Sequence, residues 1–429
     1  MLALFRLIKQ TYRMAQPHES RMVVQNAAGL SVLQVITYLL PLLIIPYLFR
    51  MLGPDNFGLI AFAQAFTQYF IILTNYGFNV SATKEISLGR DDPAKISRVF
   101  SSVMLVKIIL TTVSLLLMIS IVFFVPRFRS DWLIYALSFG TVVGSALFPV
   151  WFFQGTEKMK YITELNIAVG VVSAIFVLLF VRAPEDYLLV PTINSGASLA
   201  LGLWGQYIVF SRFPVSLHLP GHKNIRHQLK AGWNIFISIA AINAYTTTRI
   251  FVLGLVTNNH ITGFYSIAER VASACQTFPL DSFSQAIFPR LSKIFQRNKT
   301  KAFKIMHQVQ HITVMVSIIF LPTIFVFADS VVTLICGGDY PETVLSLRLL
   351  LISVFFVSAN AFRVQFLLVS GKTRVYRRIH VIMAMMGLPL VVILTSSLSY
   401  VGAALATVLI EAGVFTVTYF TVRRLNFFK

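Results

Sequence analysis

The chain has 429 residues, of which 56% are hydrophobic and 12% charged, with 38 phenylalanines and a formal net charge of +20. Soluble domains carry about 25% charged residues, so this composition excludes a water-soluble globular protein and points to one embedded in a membrane. A basic surplus of this size also suits nucleic-acid binding, and where the cations lie decides between the two readings.

Residues 1–20, MLALFRLIKQTYRMAQPHES, set Leu2, Phe5, Ile8 and Tyr12 near one side of a helix with Arg6, Lys9 and Arg13 interspersed. That pattern suits a helix lying on the membrane surface. Its apolar part is too interrupted for a signal-peptide core, and no small-residue cleavage site follows. Twelve apolar runs come next, at 22–50, 56–80, 99–125, 132–153, 161–181, 187–210, 232–256, 262–287, 305–328, 342–369, 379–398 and 400–421. Each can cross a hydrocarbon core of about 30 Å as a helix. Pro41 and Pro46 fall in the first run and are expected to bend it.

With the N-terminus placed in the cytoplasm, the inward segments hold 27 of the 36 Lys and Arg. The outward segments hold only Arg50, Arg127, Arg129 and Arg182, and Lys107, Arg249, Arg270, Arg348 and Arg363 fall inside spans. This is the positive-inside bias, so both termini are expected in the cytoplasm. The basicity then reports topology and anionic headgroups, and no nucleic-acid partner is expected. The predicted organisation is a cytoplasmic interfacial segment (1–21), an N-terminal six-helix lobe (22–211), a cytoplasmic linker (212–230), a C-terminal six-helix lobe (231–421) and a cytoplasmic tail (422–429).

The two halves resemble each other weakly. At an offset of about 205, NFGLIAFAQAF overlies ITGFYSIAERV, pairing Gly58 with Gly263 and Gln64 with Glu269. At about 215, QGTEKMKY falls near SGKTRVYR. An even number of spans per half returns the chain to the same side, which predicts two parallel bundles about a pseudo-twofold axis along the membrane normal. Transporters built this way bind cargo between their halves.

Polar residues inside the spans fall on faces at 100° per residue. Gln64, Gln68, Asn75 and Asn79 share a stripe of roughly 60° in the second span. Asn234, Ser238, Tyr245, Thr248 and Arg249 align in the seventh, and Ser266, Glu269, Ser273 and Gln276 in the eighth with Arg270 at the margin. Ser353 and Asn360 align in the tenth, with Arg363 nearby. Unpartnered polar groups in hydrocarbon cost several kcal/mol, so spans two, seven, eight and ten are predicted to line one central cavity. Against this stands interhelical hydrogen bonding, a common use of membrane amides. For Arg249 and Arg270 the rival is pairing with Glu269, Asp281 or Glu411, and for Arg348 and Arg363 it is snorkelling.

Other chemistry is thin. His307 and His311 have the spacing of a metal pair, but no carboxylate lies close by, and no metal site is predicted. Cys275 and Cys336 sit on different elements without redox spacing. No nucleophile elbow, phosphate-binding glycine loop or zinc pattern appears, and outward loops are short, so no enzyme activity is expected. Asp91 and Asp92 in GRDDPAK read as a helix start.

The segments YLLPLLIIPYLFRMLGPDNFGLIAFAQAF, NYGFNVSATKEI, PVWFFQGTEKMKYI and QAIFPRLS resemble the polysaccharide transporter family of O-antigen flippases (Wzx-type), in the superfamily that also holds multidrug exporters and the lipid II flippase. The resemblance implies an all-α polytopic membrane protein of twelve transmembrane helices in two pseudo-symmetric six-helix bundles, a MATE-like fold, in the bacterial inner membrane. It implies a cargo of undecaprenyl-pyrophosphate-linked oligosaccharide moved to the periplasmic leaflet by alternating access, with O-antigen polymerase and chain-length regulator as partners beside membrane lipids. Arg249, Arg270, Arg363 and Lys107 would then meet pyrophosphate, since guanidinium offers bidentate donors that stay charged when desolvated. Gln64, Gln68, Asn75, Asn234, Tyr245 and Gln276 would meet sugar hydroxyls. Proton or sodium coupling would fall to Glu269, Asp281 or Glu411, and no other cofactor is expected. The rival is an organic-cation exporter of the same architecture, for which those three carboxylates would be the binding groups.

Overall fold

The computed structural model of the chain describes residues 17–276, 295, 298–370 and 372–424, and among them there is no strand. In chain order the helices are α1 (Pro17–Asn75), α2 (Phe78–Ser87), α3 (Pro93–Phe124), α4 (Pro126–Arg129), α5 (Trp132–Leu147), α6 (Val150–Gly155) and α7 (Met159–Phe180). A 3₁₀ turn at Pro184–Leu188 leads to α8 (Leu189–Arg212), α9 (His222–Thr246) and α10 (Thr248–Val256). Then follow α11 (259–276), α12 (Lys299–Val326), α13 (Ala328–Cys336), α14 (Pro341–Val369) and α15 (Thr373–Arg424). The surface helix expected before residue 17, Asp281 and most of the tail lie outside the described residues.

Two of these helices are too long for one crossing. The 59 residues of α1 and the 52 of α15 would each run about 80–90 Å, more than twice the hydrocarbon core. Each is broken once by a residue outside helical geometry: Gly53 (φ 74°, ψ 169°) and Ser399 (φ 54°, ψ −134°). Gly53 suits its place because glycine has no Cβ to clash at positive φ. Helix α1 runs unbroken through Pro41 and Pro46, so Gly53, and not the prolines, divides spans one and two. Ser399 holds the mirror image of an extended conformation, which costs a non-glycine residue about 1–3 kcal/mol. Ser399→Gly is expected to raise the thermal unfolding temperature in detergent, and an unchanged or lower value would show that the turn is unstrained.

Eight helical stretches are long and apolar enough to cross a membrane, or nine if α9 and α10, bent by 45°, form one span. Counting each side of Gly53 and Ser399 separately and adding α11 gives twelve crossing segments among the described residues, as the hydropathy predicts. The chain is an all-α polytopic membrane protein of two six-helix bundles. Large apolar side chains such as Leu116, Phe124, Ile319, Met385 and Ile393 point outward, where lipid replaces water as their neighbour.

Each bundle has its own packing. Near the first bundle's basic end, Phe100, Trp151, Phe152 and Phe153 are fully buried together. The charge-poor end is different, because Phe49 and Phe57 of α1 pack with Phe264, Tyr265 and Leu347 of the second half in one core. Arg127 donates to the Asn259 side chain at 2.7 Å and to the Gly254 carbonyl at 3.2 Å, Asp55 meets His260 at 3.0 Å, and Arg50 donates to the Leu334 and Ile335 carbonyls. The last two carbonyls lie at the C-terminal end of α13, where a cation is favoured. Two of the four arginines on the charge-poor side are thus held by the opposite half. At the basic end the halves meet through α9, where Phe236 stacks on Tyr76 and Gln228 donates to Glu85 at 2.9 Å.

Candidate functional site

The second span and α11 cross where the halves meet. A Cβ built on Gly58 would lie 1.8 Å from the Asn259 carbonyl oxygen, and one on Gly263 would lie 2.2 Å from that of Pro54. Only hydrogen fits at either position, so the two backbones touch, a close approach that small residues permit in membranes. Gly58 and Gly263 are the pair that the internal repeat superposes. Asp55 meets His260 one turn earlier, and Gln64 meets Arg270 two turns later. Residues about 205 apart therefore face each other along this crossing, as they do only near a twofold axis.

Arg270 donates to Gln64 Oε1 at 2.7 Å, lies 5.5 Å from the centre of the Phe57 ring and makes no ion pair among the described residues. Gln64 comes eleven positions after Gly53 and Arg270 eleven after the first residue of α11, Asn259, a depth of about 16 Å, which is near the middle of the bilayer. They line a cavity of about 290 Å³ whose other walls are α1 before Gly53 (Ile44, Leu48), α7 (Asn166, Gly170, Ser173) and α8 (Val190, Asn194). A second cavity of about 510 Å³, mostly apolar, lies between the second span, α9–α10 and Leu388 of α15. Tyr69 and Thr248 hydrogen-bond across its edge at 2.7 Å.

Arg249 has a different surrounding. The bend between α9 and α10 frees carbonyls that lipid cannot satisfy, and Arg249 Nε donates to one of them, that of Thr246, at 2.9 Å. Its two terminal nitrogens reach Thr407 Oγ1 at 3.0 Å and the Glu269 carboxylate at 3.1 Å. All three guanidinium nitrogens are engaged by the protein, and the ion pair is mostly buried, with side chains 14% and 17% exposed. Arg249→Ala is expected to destabilise the folded protein by about 3–5 kcal/mol, because Glu269 is left buried and uncompensated. Combining Arg249→Met with Glu269→Gln should recover most of that loss in thermal unfolding, and equal loss in single and double variants would remove the pair from the account.

The remaining expected residues are scattered. Lys107 is 1% exposed, makes no ion pair among the described residues, donates to the Ser145 carbonyl at 3.3 Å and lines neither cavity. Asn75 turns to the same residue, donating to Ser145 Oγ at 3.1 Å, as interhelical glue would. Asn79 leaves the amide stripe because Tyr76 and Gly77 break the helix at positive φ and reset its phase. Gln68 faces neither cavity. Asn234 accepts from Arg377 at 2.8 Å, and Tyr245 hydrogen-bonds His380 at 2.9 Å in the second bundle. Arg363 donates to the Ala359 carbonyl and lies over Phe415 and Tyr419 at 5.2 and 5.3 Å. Gln276 ends the described part of α11. Glu411 stands one turn after Thr407 on α15, toward Arg249.

The two cavities divide the spans differently from the single one expected of spans two, seven, eight and ten. Span ten lines neither cavity: Ser353 bonds its own Leu350 carbonyl at 2.6 Å, and Gln310 of α12 holds the Ser358 carbonyl at 3.0 Å and the Phe362 amide at 3.2 Å. Spans one, five and six contribute instead. Asn166 and Asn194 were missed, although Asn166, Gly170, Ser173 and Val177 share one face of α7 at helical spacing, the signal used for span two. Nothing in the spacing singles out His380 or the bridging Arg127, whose charge in the sequence bears on topology alone.

Residues 23–295 match the model of the family described as polysaccharide biosynthesis protein. The chain belongs to this family. Among its relatives, the Escherichia coli K12 protein named "Putative O-antigen transporter" is 30% identical over 90% of this chain and 93% of its own length. A Shigella dysenteriae protein of the same name is 26% identical over 82% and 87%. An inward-facing multidrug resistance MATE family transporter of the MOP superfamily superposes with a TM-score of 0.73 at 14% identity, covering 91% of this chain and 95% of its own. The lipid II flippase MurJ in an inward closed conformation superposes at 0.71 with 14% identity, covering 92% and 87%. This polysaccharide biosynthesis protein therefore has the MATE-like fold that its hydropathy predicts, and Gly58, Gln64, Arg249 and Arg270 all lie within the matched region.

Proposed function

We propose that the protein is a flippase that carries undecaprenyl-pyrophosphate-linked glycan repeat units from the cytoplasmic to the periplasmic leaflet of the bacterial inner membrane, with both termini cytoplasmic. The observation that carries this reading is Arg270: a guanidinium at mid-membrane depth, in a cavity where the halves meet, held by a neutral amide and paired with no carboxylate among the described residues. A cation in such a place is functional by default, and it matches a diphosphate that cannot cross hydrocarbon unaided. The name shared by the two relatives, "Putative O-antigen transporter", supports the same cargo class. The prenyl tail can stay in lipid. Alternating access follows from two parallel bundles that must part at the Gly58–Gly263 crossing for cargo to leave.

The organic-cation reading loses its main group, because the Glu269 carboxylate faces Arg249. Glu411, next to that pair on α15, is the carboxylate we assign to proton or sodium coupling. A polymerase and a chain-length regulator would take the glycan after transfer.

Leaflet accessibility tests the reading. In spheroplasts depleted of the protein, the lipid-linked glycan should be protected from periodate added outside, and re-expression should expose most of it. An accessible fraction that does not change on depletion would falsify the proposal.

A further inference from the structure

The cavity beside Arg270 contains more polar chemistry than a phosphate needs. The face of α7 that lines it runs Asn166, Gly170, Ser173, whereas the opposite face shows Val172, Phe176 and Leu179 outward. Small residues set that wall back, and α8 adds Asn194 beside it. Asn166 donates one amide hydrogen to the Ile162 carbonyl at 2.6 Å, and its own oxygen has no donor among the described residues. The side chains of Asn194 and Ser173 make no hydrogen bond among the described residues. Gln64 gives its oxygen to Arg270 and keeps its amide hydrogens. Donors and acceptors thus alternate around one small space, and within a membrane they must meet water or cargo.

A volume of about 290 Å³ lies at the lower edge of ligand pockets, about 300 Å³. It has room for one ring and not for a chain of them. Vicinal hydroxyls both donate and accept, as amides do, and the ring that reaches this space with a phosphate on Arg270 is the one bonded to that phosphate. We propose that Asn166, Ser173 and Asn194 form the subsite that selects the first sugar of the cargo, opposite Arg270 on its phosphate. This inference rests on the flippase reading. Asn166 and Asn194 are its specificity-determining residues, and the outer sugars lie beyond the cavity.

The test uses the full-length protein in nanodiscs with two probes: the native glycolipid extracted from a flippase-deletion strain, and plain undecaprenyl pyrophosphate. Wild type should bind the glycolipid more tightly. Asn166→Leu combined with Asn194→Leu should weaken glycolipid binding about tenfold or more and leave undecaprenyl pyrophosphate binding unchanged, which also shows that the variant is folded. Asn194→Ala alone should give a smaller loss of the same kind. Arg270→Ala should weaken both probes. If the leucine variants bind the glycolipid as wild type does, or weaken both probes alike, the subsite is overturned while the flippase reading stands. If wild type binds neither probe better than undecaprenol, both fall together.

Discussion

Arg270→Ala is expected to abolish surface display of the glycan in a flippase-deletion strain while the protein accumulates normally, and Arg270→Lys to restore display only in part. The size of the effect comes from what the guanidinium offers. Each charge-assisted hydrogen bond contributes about 1.5–3 kcal/mol, so losing two to a diphosphate slows transport roughly 100-fold or more. Lysine keeps the charge and loses the planar fork. Normal accumulation is expected because, among the described residues, Arg270 has Gln64 and the Phe57 ring as its partners and no carboxylate within ion-pair distance, while Glu269 keeps its pairing with Arg249. In this Arg270 differs from Arg249, whose loss acts on folding first. Display by Arg270→Ala at the wild-type level would end the anion-cavity account, and accumulation lost together with display would make Arg270 a structural residue like Arg249.

Gly58→Val is expected to block the proposed cycle by another route. Its Cβ would lie 1.8 Å from the Asn259 carbonyl oxygen, a distance that no rotamer change relieves because the obstacle is backbone. The second span and α11 have to separate, and the contacts beside them, Asp55 with His260 and Arg127 with Asn259, are lost as well. Overpacking of this kind costs about 1–3 kcal/mol at a well-packed site. Cysteines placed at positions 55 and 260 should cross-link efficiently in the parent protein and at least tenfold less in the Gly58→Val background, with export lost. Undiminished cross-linking would show that the crossing tolerates a side chain, and the close approach would then have no part in transport.

Most of the architecture could be read from the sequence because lipid leaves a chain few options. Twelve apolar runs and a half-length repeat point to two parallel bundles, and the two glycines that the repeat superposes, Gly58 and Gly263, are those that the structure brings together at the crossing. The site was less legible. Helical phase set Gln64 in the polar stripe of span two and Arg270 at the margin of that of span eight, and it placed Asn75 and Asn79 in the stripe with Gln64. One turns to Ser145, and the other lies beyond the break at Tyr76 and Gly77. Phase also cannot separate a hydroxyl that faces a cavity from one that bonds the carbonyl of its own preceding turn, as Ser238 does to Asn234 at 2.9 Å and Ser266 to Gly263 at 2.9 Å. The fate of Arg249 was hidden for a related reason. Its main-chain partner exists only because the helix bends after Thr246, and a bend among three threonines has no signature as strong as proline.

The crossing of the second span with α11 restricts what the two halves can be to each other. In a dimer of identical subunits, any residue beside the symmetry axis meets its own copy, so an arginine there would face an arginine and a carboxylate a carboxylate. Such a dimer could keep glycine at the axis, where self-contact is harmless, but not an arginine two turns away. Joining both halves in one chain lifts that restriction. Position 64 can be an amide while its counterpart, position 269, is a carboxylate and the next residue is an arginine. The fused molecule gains a polarity across the axis that a homodimer of either half could not have, and one wall can bind an anion while the other stays neutral.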